Sequence, residues 1–403
     1  MAIKHICIVT QSHLCRNPRV LKEALTLAEA KFRVTIVNST YSAALAAEDI
    51  GLINTHDIKI EPVSALEKGG FRAFKDKLIK KIGDKMVRVF GVQTPMALGY
   101  GAGRFVNAAL KPNADLYICH QETGLYAGVK LIGKGKQVAF DFEDWYSEDL
   151  SEEARLERPI GLLKRLEKTA LQKGVFCFTT SDVMAAKLAE TYDAPIPATL
   201  YNTFGVDESL LTIPKRYTPP VKLFWFSQTI GPGRGLEEFI GLMSQIETRL
   251  ELHLLGAVSE SYKNELSNIQ HTHPILFHPL VSNEKLPAKI AEFDVGLALE
   301  LDKPLNRDHT VTNKLFQYIV SGLPVIATNT KGQQEVIGKY GGGVLIDMKD
   351  TDTTLPQLRE LLNNPAQLLE LRQQAIYAAS QLDWENEKGK ILNKINQLQI
   401  TID

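Results

Sequence analysis

What most constrains this chain is a rhythm that runs, breaks once and restarts. Short β-rich apolar runs appear at HICIVT (5–10), RVTIVN (33–38), DLYIC (115–119), QVAFD (137–141), VFCFTT (175–180) and ATLYN (198–202). Amphipathic segments such as 19–31, 121–132 and 181–192 separate them. This alternation predicts a parallel sheet with helices on both faces. At 206–220 the rhythm yields to VDESLLTIPKRYTPP, a polar, proline-rich stretch that reads as a linker. It then resumes at KLFWFS (222–227), ELHLLG (251–256), PILFHP (274–279), DVGLAL (294–299), PVIAT (324–328) and GVLID (343–347). The tail from Leu355 reads as helical, and Trp384 opens a last amphipathic segment. The expected fold is α/β, with two Rossmann-like, doubly wound parallel-sheet domains facing across a cleft. The boundaries are 1–205 plus 383–403 for the first domain and 221–382 for the second. Ligands of such sheets sit outside the carboxyl ends of the strands, so the loops there are the candidates for chemistry.

The richest stretch is 293–336, which reads strand, polar loop, helix, stop, strand. Gly322 suits the position just past a helix end, and Pro324 cannot continue the helix. The helix opens in a polar run (Thr310, Thr312, Asn313) and sets Lys314 and Gln317 on one face, three residues apart. A cation and an amide at a helix N-terminus suit a diphosphate and a sugar hydroxyl, and so a nucleotide sugar.

Composition narrows the function classes. The 403 residues fit two domains of about 200 each. A formal net charge of −1 does not suggest wholesale nucleic-acid binding. Cys7, Cys15, Cys119 and Cys177 are scattered with no CxxC pair, and three of them lie in apolar runs. This favours buried thiols in a reducing compartment. The apolar run at the N-terminus is too short for a signal peptide, and no stretch approaches the roughly 18 apolar residues of a membrane span. A cytoplasmic protein is expected.

Several strand-end loops carry candidates. After the first run, Arg16 and Arg19 stand where a loop meets a helix. They suit an anionic group of donor or acceptor, or equally a solvated helix entry turned by Asn17-Pro18. No GxGxxG is present there. His120 ends its strand. The acidic loop 141–153 offers Glu143 and Asp144 as a base or as contacts for acceptor hydroxyls, with helix capping as the bland reading from Glu148 onward. In SQTIGPGRGLEEF (227–239), Gly231, Gly233 and Gly235 allow close backbone approach, and Arg234 at the helix entry suits a diphosphate clamp. His271, His273 and His278 lack an acidic partner nearby and read as a loop entering a strand. Lys68 to Phe90 is different in kind. Phe71, Phe74, Leu78, Ile82 and Met86 recur at helical spacing among eight cations, against Asp76 and Asp84. Such a helix lies on an anionic membrane, or else packs its stripe on the sheet.

Taken in order, these segments resemble glycosyltransferase family 4 of the GT-B enzymes over nearly the whole chain. The series is RNPRVLKEALTLAEAKFRVTIV (16–37), DLYICHQETGLYAGVKL (115–131), LYNTF (200–204), GPGRGLEE, LLGAV, HPLVSNEKLPAKIAEFDVGLAL and NKLFQYIVSGLPVIAT. The resemblance implies a retaining, metal-independent glycosyltransferase that needs no cofactor, with its nucleotide-sugar donor held mostly by the second domain. It implies that Arg234 and Lys314 neutralise the diphosphate, that His120 contacts the transferred sugar or the reacting centre, and that the last helix crosses back to the first domain. Many members carry two glutamates eight positions apart in the donor loop; here these are His309 and Gln317. Gln317 still accepts a hydrogen bond. Asp308 or Glu300 are the acids left to replace the other. Where a His–Glu pair is common, this chain has Glu143–Asp144. Cell-envelope polysaccharide or glycolipid assembly is expected, with a glycan or lipid-linked acceptor and peripheral membrane contact through 68–90. The rivals are a catalytically weakened nucleotide-binding scaffold and a nucleotide-sugar epimerase.

Overall fold

The computed structural model describes residues 3–212, 215–269 and 272–402. They form two compact units, Met1–Leu200 with Lys388–Asp403, and Tyr201–Glu387. The linker stretch 206–220 counts with the second unit, apart from 213 and 214, which lie outside the described residues.

The first unit is built on a seven-stranded sheet in the order β3-β2-β1-β4-β5-β6-β7. Its strands are β1 (His5–Val9), β2 (Arg33–Thr40), β3 (Ile58–Ala65), β4 (Leu116–His120), β5 (Val138–Phe142), β6 (Cys177–Thr179) and β7 (Ala198–Thr199). Every pairing is parallel. Strands β1, β4 and β5 are buried along their whole length, which is why they read as continuous apolar runs. Strand β3 gives no such signal. It is an edge strand with exposed Lys59 and Pro62 and a half-buried Glu61, so its pattern is diluted. The four cysteines are free and buried.

The second unit repeats the plan. Strands β8 (Val221–Ile230), β9 (Leu250–Val258), β10 (Ile275–His278), β11 (Val295–Ala298), β12 (Val325–Thr328) and β13 (Gly343–Ile346) pair in parallel in the order β10-β9-β8-β11-β12-β13. Alternate residues feed two cores. Leu223 and Trp225 enter one, with Val295, Leu297 and Leu299. Phe224 enters the other, with Ala298, Leu315 and Phe316. Burial on both faces is the mark of a doubly wound sheet. In each sheet the strand order reverses beside its first strand, between β1 and β4 and between β8 and β11. The crevice at such a reversal is where ligands bind.

The helix Gly70–Phe90 packs by the opposite face from its bulky stripe. Its buried residues are Ala73, Asp76, Gly83 and Val87. A Cβ at Gly83 would lie 2.7 Å from the Met96 backbone, so this small-residue face allows close contact. Asp76 is held by Arg104 and Ser64 at 2.6 Å each. Phe71 is left 82% exposed and Phe74 63% exposed, with Leu78, Ile82 and Phe90 also outside. The alternative in which this stripe covers the sheet is therefore not what the fold does. Among the described residues no helix is long and apolar enough to cross a membrane.

Candidate functional site

In the second unit, the crevice between β8 and β11 brings together Gly233, Arg234 and Lys314 of the predicted donor residues. Strand β8 runs into a turn in which Gly233 and Gly235 adopt φ of +73° and +79°. Only glycine takes these values without strain. They hold Arg234 at the entry of the helix Leu236–Met243. Arg307 Nη1 donates to the Gly233 carbonyl at 2.6 Å, tying this turn to the loop after β11. Glu300 follows β11, and its backbone N–H donates to Thr328 Oγ1 at 2.9 Å. Its carboxylate accepts from Arg234 Nη1 at 3.0 Å and from Lys314 Nζ at 3.3 Å. Arg234 thus reaches from one side of the crevice and Lys314 from the helix behind it, and both converge on one carboxylate.

Lys314 and Gln317 stand on the helix Asn313–Val320 and are each 8% exposed. That helix ends as expected. Gly322 has φ +64°, and Leu323 N donates back to the Tyr318 carbonyl at 2.9 Å, closing a Schellman turn. Lys314 Nζ lies 5.1 Å from the centroid of the Trp225 ring. Burial draws the Lys314 ammonium below the usual lysine range; Glu300 opposes this and Arg234 adds to it. Burial would raise the Glu300 carboxyl, but Lys314 and Arg234 hold it below the ordinary carboxylate range. One carboxylate therefore faces Arg234 and Lys314, with Arg307 also near, and the surplus is positive. Gln317 Oε1 is buried without a hydrogen-bond partner among the described residues, an acceptor placed one turn from Lys314. Asn313 Oδ1 accepts from Asn202 Nδ2 at 2.8 Å. His309 is buried, its Nδ1 against the Leu305 carbonyl at 3.1 Å. Of the two acids considered as replacements at that position, Asp308 is held by Lys331 at 3.0 Å, whereas Glu300 faces the cations. Beside Glu300 a cavity of about 180 Å³ opens along the carboxyl ends of β11, β12 and β13, lined by Thr328, Thr330 and Asp347 among others.

In the first unit, the matching crevice holds a buried charge cluster. His120 ends β4 and is wholly enclosed. Its Nε2 lies 2.6 Å from Glu23 Oε2 and its Nδ1 lies 3.0 Å from Glu143 Oε1. Burial alone would strip the charge from the imidazole, but Glu23 and Glu143 push it up to about 10, so it is an imidazolium at neutral pH. Arg19, 1% exposed, donates through Nε and Nη2 to both oxygens of Asp141 at 2.6 and 2.8 Å, and through Nη1 to the Leu200 carbonyl at 2.6 Å. Arg19 is turned inward onto Asp141, and both ring nitrogens of His120 are engaged, by Glu23 and by Glu143. The member of the cluster that reaches outward is Glu143, whose side chain is 15% exposed and which also accepts from Asn17 Nδ2. Asp144 is half-buried beside it, and Arg16 is exposed in the turn before Asn17. Glu23, His120 and Asp141 have ligand-type atoms within 4.8 Å of one another, but His120 and Arg19 already engage those carboxylates.

Sequence reasoning missed Gln121. It has φ +60°, a left-handed conformation that is strained for a residue with a side chain. Its Oε1 accepts from Thr10 Oγ1 and Gln11 N at 3.0 and 2.9 Å, closing the floor between β1 and β4. No composition or spacing signal marks such a residue; only the backbone does. The histidine-rich loop behaves as expected where it is described. His273 is buried against the Ile246 carbonyl and His278 pairs with His253, while His271 lies outside the described residues.

Comparison with known proteins identifies this architecture. Residues 221–364 match the family described as Glycosyl transferases group 1. No curated protein matches the chain. Among solved structures, sucrose-phosphate synthase from Thermosynechococcus elongatus superposes with a TM-score of 0.67 at 13% identity, covering 99% of this chain and all of that one. HepE from Anabaena, in complex with UDP-glucose, gives 0.65 at 13% identity over 98% of this chain and 99% of that one. TarM gives 0.67 at 11% identity, with coverage of 98% and 99%. The second unit therefore carries a match to the group 1 glycosyl transferases over residues 221–364, and the chain as a whole carries the GT-B glycosyltransferase fold.

Proposed function

We propose that this protein transfers a sugar from a nucleotide-sugar donor to a glycan or lipid-linked acceptor, with retention of anomeric configuration and without a metal ion. The observation that carries this is the convergence of Arg234 and Lys314 at the strand-order reversal of the second sheet. Two cations there neutralise a diphosphate as charge develops on it during departure, which stabilises the transition state electrostatically. Gln317 supplies an acceptor for a ribose hydroxyl in place of the more usual glutamate. Glu143, Asp144 and Arg16 are the acceptor-side groups. HepE, which shares the fold, is a structure holding UDP-glucose, and this supports a nucleotide sugar as the donor class.

The test is a donor panel. The protein is incubated with UDP-, GDP- and dTDP-sugars and a membrane extract, and release of nucleoside diphosphate is followed. Turnover of one donor is expected. If every nucleotide binds and none turns over, the scaffold role suggested by His309 and Gln317 is the better one.

We place the acceptor at a membrane surface, acting from the cytoplasmic side in cell-envelope polysaccharide assembly. The support is the helix Gly70–Phe90, whose exposed Phe71, Phe74, Leu78 and Ile82 are flanked by exposed Lys75, Lys77 and Lys81. Each cation near an anionic bilayer contributes about 1 kcal/mol, and buried aromatic rings add to it. Sedimentation with vesicles containing anionic lipid should capture the protein, and Phe71→Ser with Phe74→Ser should cut the bound fraction about tenfold. Failure of capture, or equal capture of the variant, would count against membrane contact through this helix, and equal capture by neutral vesicles would count against a role for its lysines.

A further inference from the structure

The two donor-site cations already hold an anion. Glu300 lies between Arg234 and Lys314, accepting from both, and is 8% exposed. Its backbone is pinned to Thr328, while its side chain has three rotatable torsions and lines the cavity of about 180 Å³. A carboxylate at this spot has a physical cause. Lys314 is buried over an indole ring with Arg234 close by, and a buried ammonium among like charges loses its proton unless an anion faces it. A donor diphosphate carries more negative charge than one carboxylate and reaches both cations at once. It and Glu300 therefore compete for the same partners.

We propose that Glu300 is a resident counter-anion. It holds Arg234 and Lys314 in place between turnovers, yields them to the donor diphosphate, and returns to help expel the nucleoside diphosphate after transfer. This rests on the assignment of Arg234 and Lys314 as the diphosphate-binding pair. The exchange is balanced, because each ion pair broken is replaced by another to the same cation. Net affinity for the diphosphate is then a difference between two attractions, and product release is helped by the carboxylate waiting beside it. Glu300 is a positioning residue in this scheme: it acts through Arg234 and Lys314 rather than on the sugar.

The test uses the full chain, calorimetry, and inorganic pyrophosphate as a probe that needs no knowledge of the base. Glu300→Gln removes the competing charge at constant shape and should tighten pyrophosphate binding at least tenfold. Glu300→Asp keeps the charge and should stay within about threefold of wild type. Arg234→Ala should weaken binding in either background. With the donor found by the panel, Glu300→Gln should lower KM and kcat together, the pattern of slowed product release. If Arg234→Ala weakens pyrophosphate binding but Glu300→Gln leaves it unchanged or weaker, the counter-anion role is overturned while the donor site stands. If Arg234→Ala itself has no effect, the donor site is misassigned. A raised KM with unchanged pyrophosphate affinity would make Glu300 a sugar contact and would also overturn the proposal. Should Glu300→Gln not fold, Glu300→Ser repeats the comparison with a smaller neutral side chain.

Discussion

Lys314→Met is expected to lower kcat/KM for sugar transfer by about two to three orders of magnitude, the usual loss when one preorganised charge opposite a leaving group is removed. Lys314 is buried on a helix rather than carried on a loop, so its position is fixed before the donor arrives. A charge held rigidly in a low-dielectric place acts more strongly on developing negative charge than a mobile surface lysine does. Methionine keeps most of the volume beside the Trp225 ring and Arg234 still faces Glu300, so the loss should not come from unfolding. Arg234, whose side chain is 41% exposed, should behave differently: Arg234→Ala weakens nucleotide binding first and turnover second. Steady-state rates against donor concentration separate the two. A Lys314→Met enzyme within threefold of wild type would remove Lys314 from the chemistry.

Arg19→Met is expected to destabilise the first unit by about 3–5 kcal/mol, the cost of leaving a buried charge without its partner. Asp141 is 1% exposed and both its oxygens are taken by this guanidinium, so the variant strands a carboxylate in the core. It also removes the donor to the Leu200 carbonyl. His120 and Glu23 lie in the same cluster and would be disturbed with it. Urea unfolding, followed by fluorescence and circular dichroism, should show an early transition for the first unit while nucleotide binding by the second persists. A shift below about 1 kcal/mol would mean that Asp141 is neutralised in some other way. The same logic applies to His120→Ala, where lost activity would first have to be distinguished from lost stability.

These two arginines show how far the sequence could be read. Each follows the first strand of its sheet, and from that position each suits an anion, Arg19 equally a solvated helix entry. The folded chain separates them: Arg19 sits within its helix and points into the core, while Arg234 sits between two left-handed glycines and reaches into the crevice, 41% of its side chain exposed. Loop chemistry was legible because Gly233 and Gly235 punctuate it, whereas the burial of Arg19 depends on Asp141, 122 positions away. The parallel strands were legible for a related reason. Burial on both faces writes a continuous apolar run, and only the edge strand β3 escaped, having one side in water. Glu300 was visible as an acid near the donor loop, but its place between the cations required the crossing from β11 to the helix behind it. The stripe of the helix Gly70–Phe90 was visible too. What periodicity could not reveal was that the small face, at Ala73 and Gly83, is the one that packs.

The discontinuity of the first unit has a practical consequence for how the gene can be divided. Residues 201–387 are one uninterrupted insert, so a single reading frame can encode that body alone. The first body cannot be obtained by stopping after residue 200, because the chain returns to it at residue 388. Lys390 Nζ donates to the Thr199 carbonyl at 3.1 Å, and Gln399 Nε2 donates to that of Ile3 at 3.2 Å. A fragment meant to isolate it must splice the terminal segment back on, with a short bridge in place of the insert.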